Sequence, residues 1–222
     1  MQKIIIIGIG EIANIAHEFF TYDSNYEVCA FSVNEEYRIS DTFKNLPVVS
    51  LENIEQKFNP KDYLIFVGIG NGELNYQRKK IYNQLKDKGY SFASYISSKA
   101  LVWHNVEIGE NCFILPHNVL EPYVKIGNNV TLWSGNHIGH QTIIKDHVFI
   151  SSHVVISGFC EIGENTFMGV NSCVAHKIKI ARDNFIALGT VINKHTEENK
   201  IYKGSSSEVS KIPAKKFCKV KE

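Results

Sequence analysis

From Val102 to Ile192 an aliphatic side chain returns every sixth position, sixteen times without a gap, through Ile108, Ile114, Leu120, Ile126 and so on to Ile186. A period of six fits neither the 3.6-residue turn of an amphipathic helix nor the alternation of a strand. It marks a hexapeptide repeat, in which short parallel strands wind into a solenoid and stack aliphatic residues coil upon coil. The fourth residue after each aliphatic is mostly small or β-branched (Cys112, Val124, Val130, Thr142, Val148, Val154), as a tight interior requires. The residue directly after it is often Gly or Ala, and these glycines are expected to make the corners.

A second period lies over the first. Ile108-Gly109-Glu110-Asn111, Ile126-Gly127-Asn128-Asn129, Ile144-Lys145-Asp146-His147 and Ile162-Gly163-Glu164-Asn165 recur every 18 residues. One corner type returning at every third hexad predicts a triangular coil of 18 residues.

The chain before the repeat is of another kind. Ile4–Ile7 is an apolar run leading into Gly8-Ile9-Gly10-Glu11-Ile12-Ala13 and a helical pattern to Phe20, the strand, glycine loop and helix of a phosphate cradle. Strands are predicted at 27–31, 48–49, 63–67 and 91–96, and helices at 51–58 and 74–88, with a second glycine loop at Gly68-Ile69-Gly70-Asn71. The alternation gives a small parallel sheet. Backbone N–H groups at Gly8, Gly10, Glu11, Ile12, Gly70 and Asn71 are the candidate nucleotide contacts. The predicted division is 1–95 for this Rossmann-like unit, 96–193 for the prism and 194–222 for a C-terminal loop and tail.

Composition narrows the setting. A net charge of +1 with 44% hydrophobic residues gives no basic excess for nucleic acid. Apolar runs are strand-sized, so no membrane insertion is expected. The N-terminus reads as a buried strand rather than a signal peptide, and five cysteines without paired spacing read as reduced thiols. The expected location is cytoplasmic.

A Rossmann-like unit followed by hexapeptide repeats resembles the left-handed β-helix sugar acyltransferases of the bacillosamine N-acetyltransferase, perosamine N-acetyltransferase and sialic-acid O-acetyltransferase type. The resemblance spans nearly the whole chain. It implies an α/β Rossmann-like domain followed by an all-β left-handed parallel β-helix, a nucleotide-linked amino sugar held by the N-terminal unit, acetyl-CoA as co-substrate, and a homotrimer with active sites between subunits. N-acetylation is favoured over O-acetylation by family balance, in surface polysaccharide (O-antigen) or glycan synthesis. The loop departs from the family's G-A-G-G-H-A, and Ser32-Val33-Asn34 stands where an acidic pair commonly follows the second strand.

Acyl transfer from a thioester needs a base for the acceptor proton and a donor for the oxyanion. Of nine histidines, seven lie in the repeat. Steps of 18 place His104, Pro122, His140, Gly158 and His176 in one column, and His117, Gly135, His153 and Asn171 in another. Members two coils apart are separated by roughly 10 Å, too far to share a metal ion. His140 with Gly158 one coil on meets both chemical demands, and both match the family's catalytic His and oxyanion glycine. His137 and His153 are candidates to orient substrate. The family often has Glu or Asp directly after the His; Gln141 stands there, so another carboxylate is expected, a neighbouring subunit being one source. Lys177, Lys179, Lys194 and Lys203 are candidate phosphate partners for coenzyme A by charge. No metal is expected. Two rival readings are a zinc hydratase of the hexapeptide carbonic-anhydrase type and a non-catalytic nucleotide-sugar-binding protein.

Overall fold

The computed structural model describes residues 1–206 and 209–220; of the predicted tail, residues 207–208 and 221–222 lie outside it. The N-terminal sheet contains β1 (Gln2–Ile7), β2 (Tyr26–Val33), β3 (Thr42–Phe43), β4 (Leu46–Ser50) and β5 (Leu64–Val67), in the order β3-β4-β2-β1-β5. All pairs are parallel except β3 with β4. Helix α1 (Glu11–Tyr22) packs Ala13, Ala16 and Phe20 against Ile4, Ile6, Phe31 and Phe66. On the other face, α2 (Ile54–Lys57) and α3 (Tyr76–Asp87) bury Ile54, Tyr82 and Leu85 against Ile5, Ile7 and Ile65. Burial on both faces explains the unbroken run Ile4–Ile7. Because β2 and β5 flank β1, winding reverses at β1, and the Gly8 loop opens into the crevice at its C-terminal end.

Three local expectations are revised. The β3–β4 hairpin, turned by Lys44 and Asn45 at positive φ, was not predicted. The strand predicted at 91–96 is reduced to Tyr95–Ile96, already the first rung of the prism through its pairing with Phe113–Ile114. Beyond 193, where only loop was expected, Ile201–Tyr202 adds a last strand.

The prism follows its periodicity. Parallel two-residue strands pair in 18-residue steps, as in Val119 with His137 and Lys125 with Ile143. They form three sheets of six, five and seven strands. Face one carries Phe113, Thr131, Phe149, Phe167 and Phe185 outward; face two Leu101, Val119, His137, Val155, Cys173 and Val191; face three Glu107, Lys125, Ile143, Glu161 and Lys179. The aliphatic positions and the small residues four further on are buried together inside.

The corners are made differently from the prediction. Positive φ falls on the third residue after the aliphatic: Asn111, Asn129, His147, Asn165 and Asp183 at the first corner, His117, Gly135, His153 and Asn171 at the second, Tyr123, Gln141, Phe159 and Lys177 at the third. The glycines directly after the aliphatics are there because the next coil presses on them. A Cβ on Gly139 would stand 2.6 Å from the Gly158 nitrogen, and one on Gly163 2.5 Å from that of Arg182.

The N-terminal domain sits on face one and on the first corner. Phe113 and Leu115, with Trp133, pack into the same core as Phe20 and Phe66. Helix α3 runs along the corner: Tyr82 bonds Glu110, Lys79 pairs with Glu164, and Tyr76 donates to Asp183 at 3.0 Å. Arg78, fully buried, donates to Asn129 Oδ1 and to the carbonyls of Gly70, Asn129, His147 and Val148. Asn129 Oδ1 thus accepts from Arg78 and also from Asn111, so Asn129 Nδ2 must donate to His147 Nδ1 at 2.9 Å, fixing His147 as the neutral Nε2–H tautomer.

Burial, aided by the Lys79 ammonium, pushes the His147 pKa down to about 4. The unfolded chain takes up that proton near pH 6.5. The folded state therefore holds its full stability above about pH 6.5 and loses it as pH falls toward 4, by up to about 3 kcal/mol. Urea unfolding at pH 7 and pH 4.5 should show this loss, and His147→Asn should shrink it. An equal loss in both proteins would place its source elsewhere.

The last coil is short. Phe185 pairs with Ile201, a step of sixteen residues. The loop between them offers side chains to the face-three edge: Lys179 N–H donates to His195 Nδ1 at 3.0 Å and Ala181 N–H to Thr196 Oγ1 at 2.8 Å.

Candidate active site

His140 stands at the end of face two, one residue before the third corner, with its side chain 48% exposed. A carboxylate from the preceding coil holds it at two points. Glu121 Oε2 accepts from the His140 backbone N–H at 2.8 Å and lies 3.0 Å from its Nδ1. The other oxygen, Oε1, is 3.5 Å from His137 Nε2. Hydrogen bonds from the His140 backbone and ring, with the His137 imidazole nearby, hold the Glu121 pKa below the usual carboxylate range.

The repeat makes the next coil directly comparable. Where Glu121 and His140 stand on two successive coils, Gly139 and Gly158 stand one step on. The acceptor side chain is gone, and among the described residues the Gly158 N–H has no hydrogen-bond acceptor. A Cβ on Gly158 would come within 2.7 Å of His140 Nε2 and Cε1. The absence of side chains at the two glycines therefore lets the imidazole edge lie directly against Gly158, next to an unpaired backbone donor. Phe159 packs edge-on to His140 at 5.2 Å and to His176 at 5.4 Å, and the Lys177 ammonium lies 5.9 Å from the Phe159 ring.

The other predicted residues fall in separate places. His137 shares Glu121 with His140, but His153 lies at the second corner, where its ring is 2.7 Å from the position of a Gly135 Cβ; within one chain it is not brought to His140. Lys177 and Lys194 follow the His140 side of the prism toward its last coils. Lys179 is paired with Glu161 on face three at 3.2 Å, and Lys203 follows the strand on face one. Gly8, Gly68 and Gly70 converge with Ile12: the Gly68 carbonyl would be 2.9 Å from a Gly8 Cβ, and Ile12 Cγ1 3.6 Å from one on Gly70. Gly10 caps α1, Glu11 is exposed in its first turn, and the Asn71 carbonyl accepts from Asn75 N–H. This crevice adjoins the first corner, since Arg78 bonds both Gly70 and Asn129. His140 lies by the third corner, across the prism from it. A groove of about 490 Å³ on face three, lined by Lys145, Glu161, Lys179 and Arg182, does not include His140. Among the described residues, no three metal-ligating side chains form a cluster.

Glu121 and Arg78 escaped the sequence reading. Glu121 lies nineteen residues before His140, one off the 18-residue column, so only a search of adjoining columns finds it.

Comparison with known proteins agrees with this architecture. Residues 3–85 match the PglD N-terminal domain, and residues 123–158 the bacterial transferase hexapeptide (six repeats). PerB from Caulobacter crescentus, in complex with CoA and GDP-perosamine, superposes with a TM-score of 0.81 at 20% identity, over 90% of this chain and 93% of that one. A mutant of perosamine N-acetyltransferase from the same organism, with the same two ligands, gives 0.80 at 20% identity over the same shares, 90% and 93%. The acetyltransferase domain of PglB from Neisseria gonorrhoeae FA1090, in complex with acetyl coenzyme A, gives 0.78 at 20% identity over 90% and 93%. By domain content, domain order and fold, the chain is a PglD-type N-terminal domain followed by a left-handed parallel β-helix of bacterial transferase hexapeptide repeats.

Proposed function

We propose that the protein transfers an acetyl group from acetyl-CoA to a nucleotide-linked amino sugar, with an amine as acceptor, in the cytoplasm and toward a surface polysaccharide or glycan. The observation that carries the reading is the juxtaposition of His140 Nε2 with Gly158, whose N–H is unpaired among the described residues. There the amine nitrogen attacks the thioester carbon and His140 Nε2 takes the amine proton. The Gly158 N–H holds the oxyanion, and collapse expels the CoA thiolate, which recovers the proton. The nucleotide would lie in the Gly8, Gly10, Glu11, Ile12, Gly70 and Asn71 crevice, and Lys177 and Lys194 would meet the CoA phosphates. An amine acceptor is supported by the perosamine N-acetyltransferase likeness.

The crevice adjoins the first corner and His140 the third, which supports a site completed by a second chain, with the sugar reaching His140 from a neighbour's crevice. Face two is the surface left for self-association: Leu101, Val155 and Val191 are exposed there at 55%, 47% and 68%, while face three carries ion pairs such as Lys125–Glu107 and face one holds the N-terminal domain. A closed trimer would bury this apolar row, and light scattering should return three chains.

The test is turnover. Purified protein, acetyl-CoA and a panel of UDP-, GDP- and dTDP-linked amino sugars should release free thiol and give an acetylated sugar by mass spectrometry with at least one of them. Binding of such a sugar without thiol release would favour the non-catalytic reading. Stoichiometric zinc with carbon dioxide hydration would favour the hydratase.

A further inference from the structure

We propose that Glu121 is the positioning residue of this reaction, setting the tautomer and aim of His140 in place of the acid that Gln141 does not supply. The inference rests on His140 being the base, as proposed above.

The Gln141 side chain is neutral and makes no hydrogen bond among the described residues; its backbone is occupied in turning the corner, at φ 57°. Glu121 comes from the coil before. Its own backbone is tied into the ladder, with its N–H donating to the Ile138 carbonyl at 3.1 Å and its carbonyl accepting from Val124 at 3.3 Å. The side chain thus starts from a fixed point, and Oε2 meets His140 twice, at backbone N–H and at Nδ1. An ionised carboxylate only accepts, so Nδ1 must carry the hydrogen and Nε2 must present its lone pair. Two contacts to one oxygen also fix the ring's rotation, and the free edge they leave is the one facing Gly158. The titratable and charged groups around the pair are His137 at Oε1, and His176 and Lys177 across Phe159.

Glu121→Gln keeps the size but removes the charge, and its amide can donate to Nδ1 and stabilise the opposite tautomer. It should lower kcat by roughly 10–100-fold, the usual effect of removing an orienting carboxylate from a functional imidazole, with the KM for acetyl-CoA unchanged. Glu121→Asp should recover part of the loss. The direct readout is nitrogen NMR of labelled histidine in the neutral imidazole range. The wild type should show His140 protonated at Nδ1, and Glu121→Gln should move the population toward Nε2–H. If His140→Ala loses activity while Glu121→Gln keeps both kcat and tautomer, this inference falls and His140 stands. If His140→Ala keeps activity, the underlying catalytic reading falls first. Should Glu121→Gln not fold, the wild-type spectrum decides: an Nε2–H tautomer there overturns the proposal.

Discussion

Replacing His140 by alanine is expected to lower kcat about 10²–10⁴-fold, the range for losing a general base, without loss of fold or of acetyl-CoA binding. The side chain is 48% exposed and takes no part in the stacked core, so the protein has little structural reason to notice its absence. In the proposed mechanism what is lost is the acceptor for the amine proton, while the Gly158 donor remains. His140→Asn should behave alike, since an amide accepts a proton poorly at neutral pH. Steady-state kinetics with both substrates saturating gives the answer, with a circular dichroism melt as the control for folding. A variant with near-normal kcat would remove His140 from the mechanism. His137, which faces the same carboxylate, would be the next residue to change.

The second large effect is on stability. Arg78 is buried completely, with no ion-paired carboxylate among the described residues, and burial pushes its pKa down to about 10. Carbonyl oxygens and Asn129 Oδ1 satisfy the guanidinium instead, and its cation lies 5.6 Å from the Phe149 ring. Arg78→Ala would leave several carbonyls without a donor and open a cavity where the two domains meet. A loss of about 3–5 kcal/mol is expected, a melting temperature lower by about 10 °C for a chain of this size. Arg78→Met refills much of the volume and should recover only the packing part. If the alanine variant melts within a degree or two of the wild type, Arg78 does not hold the domains together.

These two residues mark what the sequence could and could not reveal. The prism was legible because each aliphatic packs on its own copies 18 residues away, so the contact order is the period itself. The His140–Gly158 column came from the same arithmetic. Glu121 did not, because a side chain reaches diagonally into the next column and the reach is invisible to a count along one. Arg78 sits in Gln77-Arg78-Lys79-Lys80, which reads as a solvated helical surface; its burial is decided by where a separate domain comes to rest. The corner glycines stand out in the sequence, but the reason for them does not. Their need for space comes from the neighbouring coil, whereas the strained turns are taken by Asn, His and Gln. The crevice at β1 was recognisable from its glycines, but its position across the prism from His140 depends on the same domain docking.

A ladder of identical rungs has no internal reason to stop. Its terminal rung displays N–H and C=O groups spaced to receive another, and two molecules meeting end to end could continue each other into a fibre. The shortened final coil answers that danger. By stepping only sixteen residues it breaks the 18-residue register, and the outgoing donors of Lys179 and Ala181 are taken by an imidazole and a hydroxyl rather than by carbonyls of a further strand. The segment from His195 to Tyr202 thus acts as a stopper on the face-three edge, where an incoming rung finds the donors already taken.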